Sequence, residues 1–344
     1  MFENREKTDI AELGEFGLIE HLAKAFPIKL ATTIKGIGDD AAQIENGENH
    51  LVISTDLLVE NVHFDLMYTP LKHLGYKVVV ANLSDICAMN VIPTQLTVSI
   101  AFSSKYTLEA IEELYVGIQL ACEKYNVDLV GGDTSTIAQG LVISGTAIGF
   151  GKVDTIVARK GAKEGDLLCV TGDLGGAYMG LQLLEREKRV FLDNPEMQPD
   201  LKNHDYIVSR QLKPEARIDV IGLLSELKIV PTSMIDISDG LASETFHLSK
   251  ASDVAFAIHE DKLPIDQDTY NMAVEFGIDS TTAAMNGGED YELLFTVDQK
   301  HFEKIQKELD ISIIGYVREK SMKNQMISKQ GNPYDLVAQG WKHV

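Results

Sequence analysis

Four acidic clusters recur along this chain, each where a short apolar run of strand character gives way to a turn or a helix. They are Gly38-Asp39-Asp40, Ser54-Thr55-Asp56, Gly131-Gly132-Asp133-Thr134 and Asp236-Ile237-Ser238-Asp239-Gly240. Asp85 is a fifth acid, carried inside an otherwise apolar helical stretch. A fold compatible with this pattern must gather strand ends, because crevices in α/β folds form there. Carboxylates so gathered are hard oxygen ligands suited to Mg²⁺ and, through it, to phosphate. Taken singly, each pair is ordinary turn chemistry, since Asp tolerates left-handed backbone and bonds its own main chain. Taken together they repel, by on the order of 4 kcal/mol for two charges about 4 Å apart at an effective dielectric of about 20. Cations between them turn that repulsion into bridging.

Composition narrows the partners. With 344 residues and 44% hydrophobic content, the chain can build about two ordinary domains. Lys+Arg number 31 against 52 Asp+Glu, a formal net charge of −21, which argues against nucleic acid or an anionic membrane as partner. Cys87, Cys122 and Cys169 are far apart in apolar stretches, which suits buried thiols in a reducing compartment and indicates neither zinc site nor disulfide framework. No apolar signal core opens the N-terminus and no run is long enough to span a bilayer, so the expected location is the cytoplasm.

The pattern of apolar residues sets a coarse order of elements. Asp9 with Glu12 reads as a helix cap ahead of Leu13, Phe16, Ile19, Leu22 and Phe26 at helical spacing. Leu51-Val52-Ile53 reads as a strand ending at Ser54-Thr55-Asp56, and Pro70 opens a helix carrying Val78, Ala81, Asp85 and Cys87. Gln95 to Phe102 alternates as a strand, Thr107 caps a helix, Val127 to Val130 is a strand ending at Gly131-Gly132-Asp133, and Leu141 to Phe150 is another. Glycine and charge then rise between Gly151 and Gly165, placing a domain boundary at 152/153. Beyond it, strands are expected at Leu167–Val170, Met234–Asp236, Val254–Ile258 and Leu293–Val297, with helices after Gly176, from Pro214 and after Gly240. The interleaving indicates an α/β or α+β class without giving strand order.

Two glycine-rich turns add candidate sites. Gly172, Gly175 and Gly176 follow a strand and allow main-chain N–H groups to approach a phosphate, though tight strand-to-helix packing explains them equally. No Walker A loop is present, so an ATP site must be built otherwise. Asn286-Gly287-Gly288-Glu289-Asp290-Tyr291-Glu292 is an acidic turn entering a strand. Glu289 could contact a cationic or hydrogen-bonding substrate group, or the turn could be a solvated hairpin end.

Seven motifs then fall in order: Gly36-Ile37-Gly38-Asp39-Asp40-Ala41-Ala42, Ser54-Thr55-Asp56, Asn61-Val62-His63-Phe64, Asn82-Leu83-Ser84-Asp85, Gly131-Gly132-Asp133-Thr134, Asp236-Ile237-Ser238-Asp239-Gly240-Leu241 and Gly287-Gly288-Glu289-Asp290-Tyr291-Glu292-Leu293. Together they resemble the thiamine-monophosphate kinase family, over nearly the whole chain from Gly14-Glu15-Phe16 to Gly340-Trp341. The resemblance implies the two-domain, ATP-binding architecture of the aminoimidazole ribonucleotide synthetase superfamily, with residues 1–152 forming the dimer and 153–344 the second domain. It implies Mg²⁺ held by Asp40, Ser54, Thr55, Asp56, Asp85, Asp133, Asp236 and Asp239. ATP contacts fall on Gly132, Asp133, Arg159 and Ser238, and thiamine monophosphate contacts on His63, Glu289 and Trp341. Arg159 can fork onto a phosphate, His63 can donate to one, and Trp341 can stack on a ring. A solvated linker charge, a structural histidine and a packing anchor are the plainer roles of the three.

The implied reaction is ATP-dependent phosphorylation of thiamine monophosphate to thiamine diphosphate with release of ADP, by direct in-line transfer and without a protein nucleophile. Two other readings stand beside it: a cyclising synthetase that phosphorylates an amide oxygen and releases inorganic phosphate, and a noncatalytic nucleotide-binding maturation partner. Substrate, ATP and a second copy of the chain are the expected partners.

Overall fold

The computed structural model describes residues 14–339, except the side chains of Gly14, Glu15 and Phe16. The expected cap at Asp9 with Glu12, and the expected substrate contact Trp341, lie outside the described residues. The first helix, α1, is Gly14–Ala23, and Leu22 and Phe26 are exposed.

The first sheet holds β1 (Thr33–Lys35), β2 (Ala42–Asn46), β3 (Asn49–Val59), β4 (Pro93–Phe102), β5 (Asp128–Thr136) and β6 (Leu141–Lys152), in the order β1-β2-β3-β6-β4-β5. Its neighbours are antiparallel except β4 with β5. Alternation sets its two faces: Leu141, Ile143 and Ala147 of β6 are buried, whereas Phe150 and Leu57 are exposed. The inner face is covered by α2 (Leu71–Ala88) and α3 (Leu108–Tyr125). Thr107 caps α3, its hydroxyl accepting from Ala110 N at 3.3 Å. The two helices approach closely at Gly75 and Gly117, where an added Cβ would sit 2.0 Å from Leu114 O and 1.9 Å from Lys72 O.

The second sheet holds β7 (Leu167–Thr171), β8 (Ser233–Asp236), β9 (Ala255–His259), β10 (Leu293–Val297), β11 (Ile311–Arg318), β12 (Gln325–Ile327) and β13 (Pro333–Asp335), in the order β13-β12-β9-β11-β7-β10-β8. Its helices are α4 (Gly176–Asp193), α5 (Asp205–Leu212), α6 (Ile218–Glu226), α7 (Leu241–Ser252), α8 (Gln267–Phe276), α9 (Ser280–Asn286) and α10 (Phe302–Ile305). The result is a mixed α/β protein with two sheets. Helix α2 serves both, since its last turn packs Cys87 and Ala88 against Cys169, Val220 and Met234. Among the described residues no helix is long and apolar enough to cross a membrane.

Three local expectations are corrected. Ser54-Thr55-Asp56 lies in mid-strand, because β3 pairs with β6 continuously from Asn49 to Val59. Gly131-Gly132-Asp133 is likewise inside β5, whose pairing with β4 runs on to Thr136. Pro214 precedes a helix without starting it: α6 begins at Ile218.

Candidate active site

Three carboxylates from three elements converge. Asp40 leads into β2, Asp85 lies on the last turns of α2, and Asp236 ends β8; one oxygen of each lies within 4.8 Å of the others. Asp56 joins them from the inner face of β3, where Val52 and Leu58 are buried on the same side; the charge of Asp40 acts on it, and its own acts on Asp85 and Asp236. Hydroxyls hold the group in place: Ser54 Oγ donates to Asp85 Oδ2 at 2.5 Å and Asp40 O at 2.9 Å, and Ser84 Oγ to Asp236 Oδ2 at 2.6 Å.

Among the described residues one cation opposes four acids. Arg159 places Nε 3.1 Å and Nη2 2.5 Å from Asp40 Oδ1. Burial nevertheless dominates, pushing Asp40 up to about 7 against the pull of Arg159. It lifts Asp56 and Asp236 to about 6, and Asp85, beside Asp56, Asp236 and Asp40, rises well above the ordinary carboxylate range. Asp40 Oδ2 is buried without a hydrogen-bond partner among the described residues. A buried acceptor left unmatched costs about 1–3 kcal/mol, which a hard cation in this all-oxygen set would offset.

Other expected ligands lie apart. Thr55 is on the opposite face of β3 from Ser54 and Asp56, its hydroxyl donated to Gly145 O at 2.6 Å, because strand side chains alternate. Asp133 and Gly132 are on the edge strand β5. It is separated from β3 by β6 and β4, about 14 Å at ordinary strand spacing. Within one chain Asp133 cannot join the three-carboxylate group. Ser238 and Asp239 occupy the turn leaving β8, where buried Glu244 accepts from Asp239 N at 2.9 Å and Ser238 Oγ at 3.4 Å.

A second set of residues gathers around Glu289. Lys77, almost fully buried on α2, places its ammonium 2.9 Å from Glu289 Oε1 and 3.2 Å from Gln211 O. Gln211 Nε2 donates to Glu289 Oε2 at 2.8 Å, while its own Oε1 is buried without a partner among the described residues. The turn is bent sharply: Gly288, Glu289 and Tyr291 have φ of 70°, 55° and 52°. A Cβ at Gly288 would lie 2.7 Å from Ser238 O, so only glycine fits there. His63 sits on the turn after β3, and its Nδ1 accepts from Val59 N at 3.0 Å. In the neutral ring Nε2 then carries the proton and can donate.

Lys77, Gln211, Ser84 and Glu244 were not anticipated. Lys77 had a usable signal, being a lone charge in the apolar run Leu74–Leu83, as Asp85 is a few residues on. Gln211 and Glu244 sit in polar stretches, where burial leaves no mark on the sequence.

A separate buried acidic cluster supplies its own cations. Arg210 Nη1 donates to Glu292 Oε1 at 3.0 Å, Arg217 Nη1 to Glu292 Oε2 at 2.7 Å, and Thr171 Oγ1 to Glu292 Oε2 at 2.5 Å. Asp290 accepts from Gly175 N at 2.9 Å and Ala177 N at 3.4 Å, satisfying the first turn of α4. Gly175 and Gly176 thus serve helix entry against Asp290.

Comparison with known proteins agrees with this architecture. Residues 38–150 match the family described as AIR synthase related protein, N-terminal domain. The chain is 36% identical over 338 residues to thiamine-monophosphate kinase of Bacillus subtilis, covering 96% of this chain and 99% of that protein. It is 32% identical to the thiamine-monophosphate kinase of Aquifex aeolicus, with 97% and 99% covered. Among solved structures, one described as AaThiL complexed with AMPPCP and TMP superposes with a TM-score of 0.83 at 31% identity, covering 99% of this chain and 100% of that one. With such identity over nearly its full length, and with a carboxylate site shared by both sheets, the chain belongs to the thiamine-monophosphate kinase family.

Proposed function

We propose that this protein transfers the γ-phosphoryl group of ATP to thiamine monophosphate, giving thiamine diphosphate and ADP. The observation that carries the reading is the buried group Asp40, Asp56, Asp85 and Asp236, opposed among the described residues only by Arg159 and with Asp40 Oδ2 unpartnered there. These four residues would hold Mg²⁺, which when bound supplies the positive charge that bridges phosphate oxygens. Ser54 and Ser84 orient the carboxylates through their hydroxyls. Arg159 fixes Asp40 and keeps Nη1 for a nucleotide phosphate, and Ser238 lies on the turn beside Asp236. Thr55 and Asp239 remain candidate ligands, Thr55 only through its main chain.

Glu289, paired with Lys77 and hydrogen-bonded by Gln211, is suited to the heterocyclic end of the acceptor, and His63 Nε2–H to its phosphate. Trp341 remains a candidate for stacking on its ring. The attacking oxygen belongs to the substrate's own phosphate, already ionised near neutral pH, so no strong protein base is needed. Positioning and charge neutralisation carry the in-line transfer.

We further infer a homodimer through the first sheet, and units divided near 152/153. All nine positions of edge strand β5 are exposed, Leu129 and Val130 among them, and an open apolar edge of this kind seeks a partner. Such pairing would set Gly132 and Asp133 at the subunit boundary. Free, buried Cys87, Cys122 and Cys169 suit the cytoplasm.

The test is product analysis after incubation with ATP, Mg²⁺ and thiamine monophosphate. One ADP and one thiamine diphosphate per turnover are expected. Stoichiometric inorganic phosphate in place of thiamine diphosphate would refute the kinase reading and favour a synthetase.

A further inference from the structure

Tyr291 joins the two halves of the site and has no role in the chemistry described so far. Its ring packs in the core of the first sheet, although β10, two residues on, belongs to the second. The crossing depends on a left-handed backbone, φ 52°, which is unusual for a bulky residue and costs on the order of 1–3 kcal/mol. Two hydrogen bonds enforce it: Tyr291 N donates to Ile237 O at 2.9 Å and Glu289 N to Ser238 O at 2.6 Å. Tyr291 therefore stands between Glu289 and the strand pair in which Leu293 faces Asp236. Among the described residues its hydroxyl makes no hydrogen bond. Burial first, then the charges of Glu289, Asp56, Asp236 and Asp85, hold the phenol far above its ordinary range, so it is an O–H donor throughout the physiological range. A donor on the residue that links Glu289 to the strand beside Asp236, bonded to none of the nearby carboxylates among the described residues, suits an anion that arrives with its own cations.

We propose that Tyr291 is a further catalytic residue, whose hydroxyl donates a hydrogen bond to the phosphate of the acceptor and holds it between the carboxylate group and Glu289. The proposal rests on the kinase reading above. Plain packing accounts for the ring and leaves the hydroxyl without purpose.

Tyr291→Phe keeps the ring and the backbone strain and removes only the donor. Loss of one hydrogen bond to a charged group should lower kcat/KM for thiamine monophosphate by about tenfold to a hundredfold. The dissociation constant of a nonhydrolysable ATP analogue and the thermal midpoint should stay at wild-type values. A kcat/KM within about twofold of wild type would overturn the proposal. So would an equal loss in analogue affinity, which assigns the hydroxyl to the nucleotide, or a fall in Tm of more than about 5 °C, which returns it to packing. Wild-type protein inert towards thiamine monophosphate would instead remove the kinase reading, and this inference with it.

Discussion

Two buried acidic clusters lie on the same chain and solve the problem of buried charge in opposite ways. Around Glu292, Arg210 and Arg217 supply two guanidiniums to a group whose other acids are Asp173 and Asp290. Around Asp40, among the described residues, four carboxylates meet one guanidinium and an acceptor oxygen stays unmatched. Buried ions are tolerated when paired and hydrogen-bonded. The first arrangement sets two guanidiniums against three acids, with Asp173 Oδ1 and Arg210 Nε left without a hydrogen-bond partner among the described residues, and ties α5 and the start of α6 to the second sheet. The second is incomplete, and its deficit is positive charge. Acid content does not separate a structural network from a metal site; the local balance of charge does.

The contrast can be broken most severely in the incomplete cluster. Asp236→Asn and Asp85→Asn should each lower turnover on the order of a thousandfold or more, by removing a cation ligand. Chelator-treated variants should melt no lower than wild type, because each loses a buried charge. Turnover within tenfold of wild type would show that the cluster is not the reaction centre.

In the cluster that has its own guanidiniums the effect should fall on the fold. Glu292→Gln leaves Arg210 and Arg217 without their shared carboxylate, and breaking such a buried network costs about 3–5 kcal/mol. Urea unfolding measures it, and a loss below about 1 kcal/mol would mean that Glu292 and its two guanidiniums do not hold the fold together.

Glu289 lies between these extremes, since Lys77 already neutralises it. Glu289→Gln should weaken acceptor binding about tenfold to a hundredfold, with ATP-analogue binding little changed. Calorimetric titrations showing equal losses for both ligands would remove the division between acceptor and nucleotide subsites.

The smallest expected effect is on pH dependence. Asp40 at about 7, and Asp56 and Asp236 at about 6, are raised above their unfolded values. Their contribution to metal-free stability is therefore fully present below about pH 4 and lost as pH rises through about 6 to 7. Magnesium needs the ionised forms, so the gap in Tm between magnesium and chelator should widen from about pH 5 to about pH 8. A gap constant across that range would contradict the assignment.

The sequence exposes the centre of the site better than its edges. Asp85 stands out in an apolar helix and Asp236 at the end of an apolar run, so local pattern alone marks them. Asp40 needed the joint occurrence of several clusters. The strand ends assigned to Ser54–Asp56 and Gly131–Asp133 fail for one reason: pairing with β6 and β4 is nonlocal and carries both strands past the residues that look like turns. Strand order, which separates Asp133 from Asp56 by two intervening strands, has no local signature either. Gln211 and Glu244 are buried by packing between distant segments. Their polarity in sequence resembles that of any exposed helix residue.

The most direct test of the contrast is calorimetric titration of Mg²⁺, with a nonhydrolysable ATP analogue present, into wild type, Asp236→Asn and Asp173→Asn. Asp173 belongs to the cluster that has its own guanidiniums, where Arg210 and Tyr206 already face it. The account predicts strong binding to wild type, the same binding to Asp173→Asn, and a loss of at least about tenfold in affinity for Asp236→Asn. Unchanged magnesium affinity in Asp236→Asn, or its loss in Asp173→Asn while that variant remains folded, would contradict it.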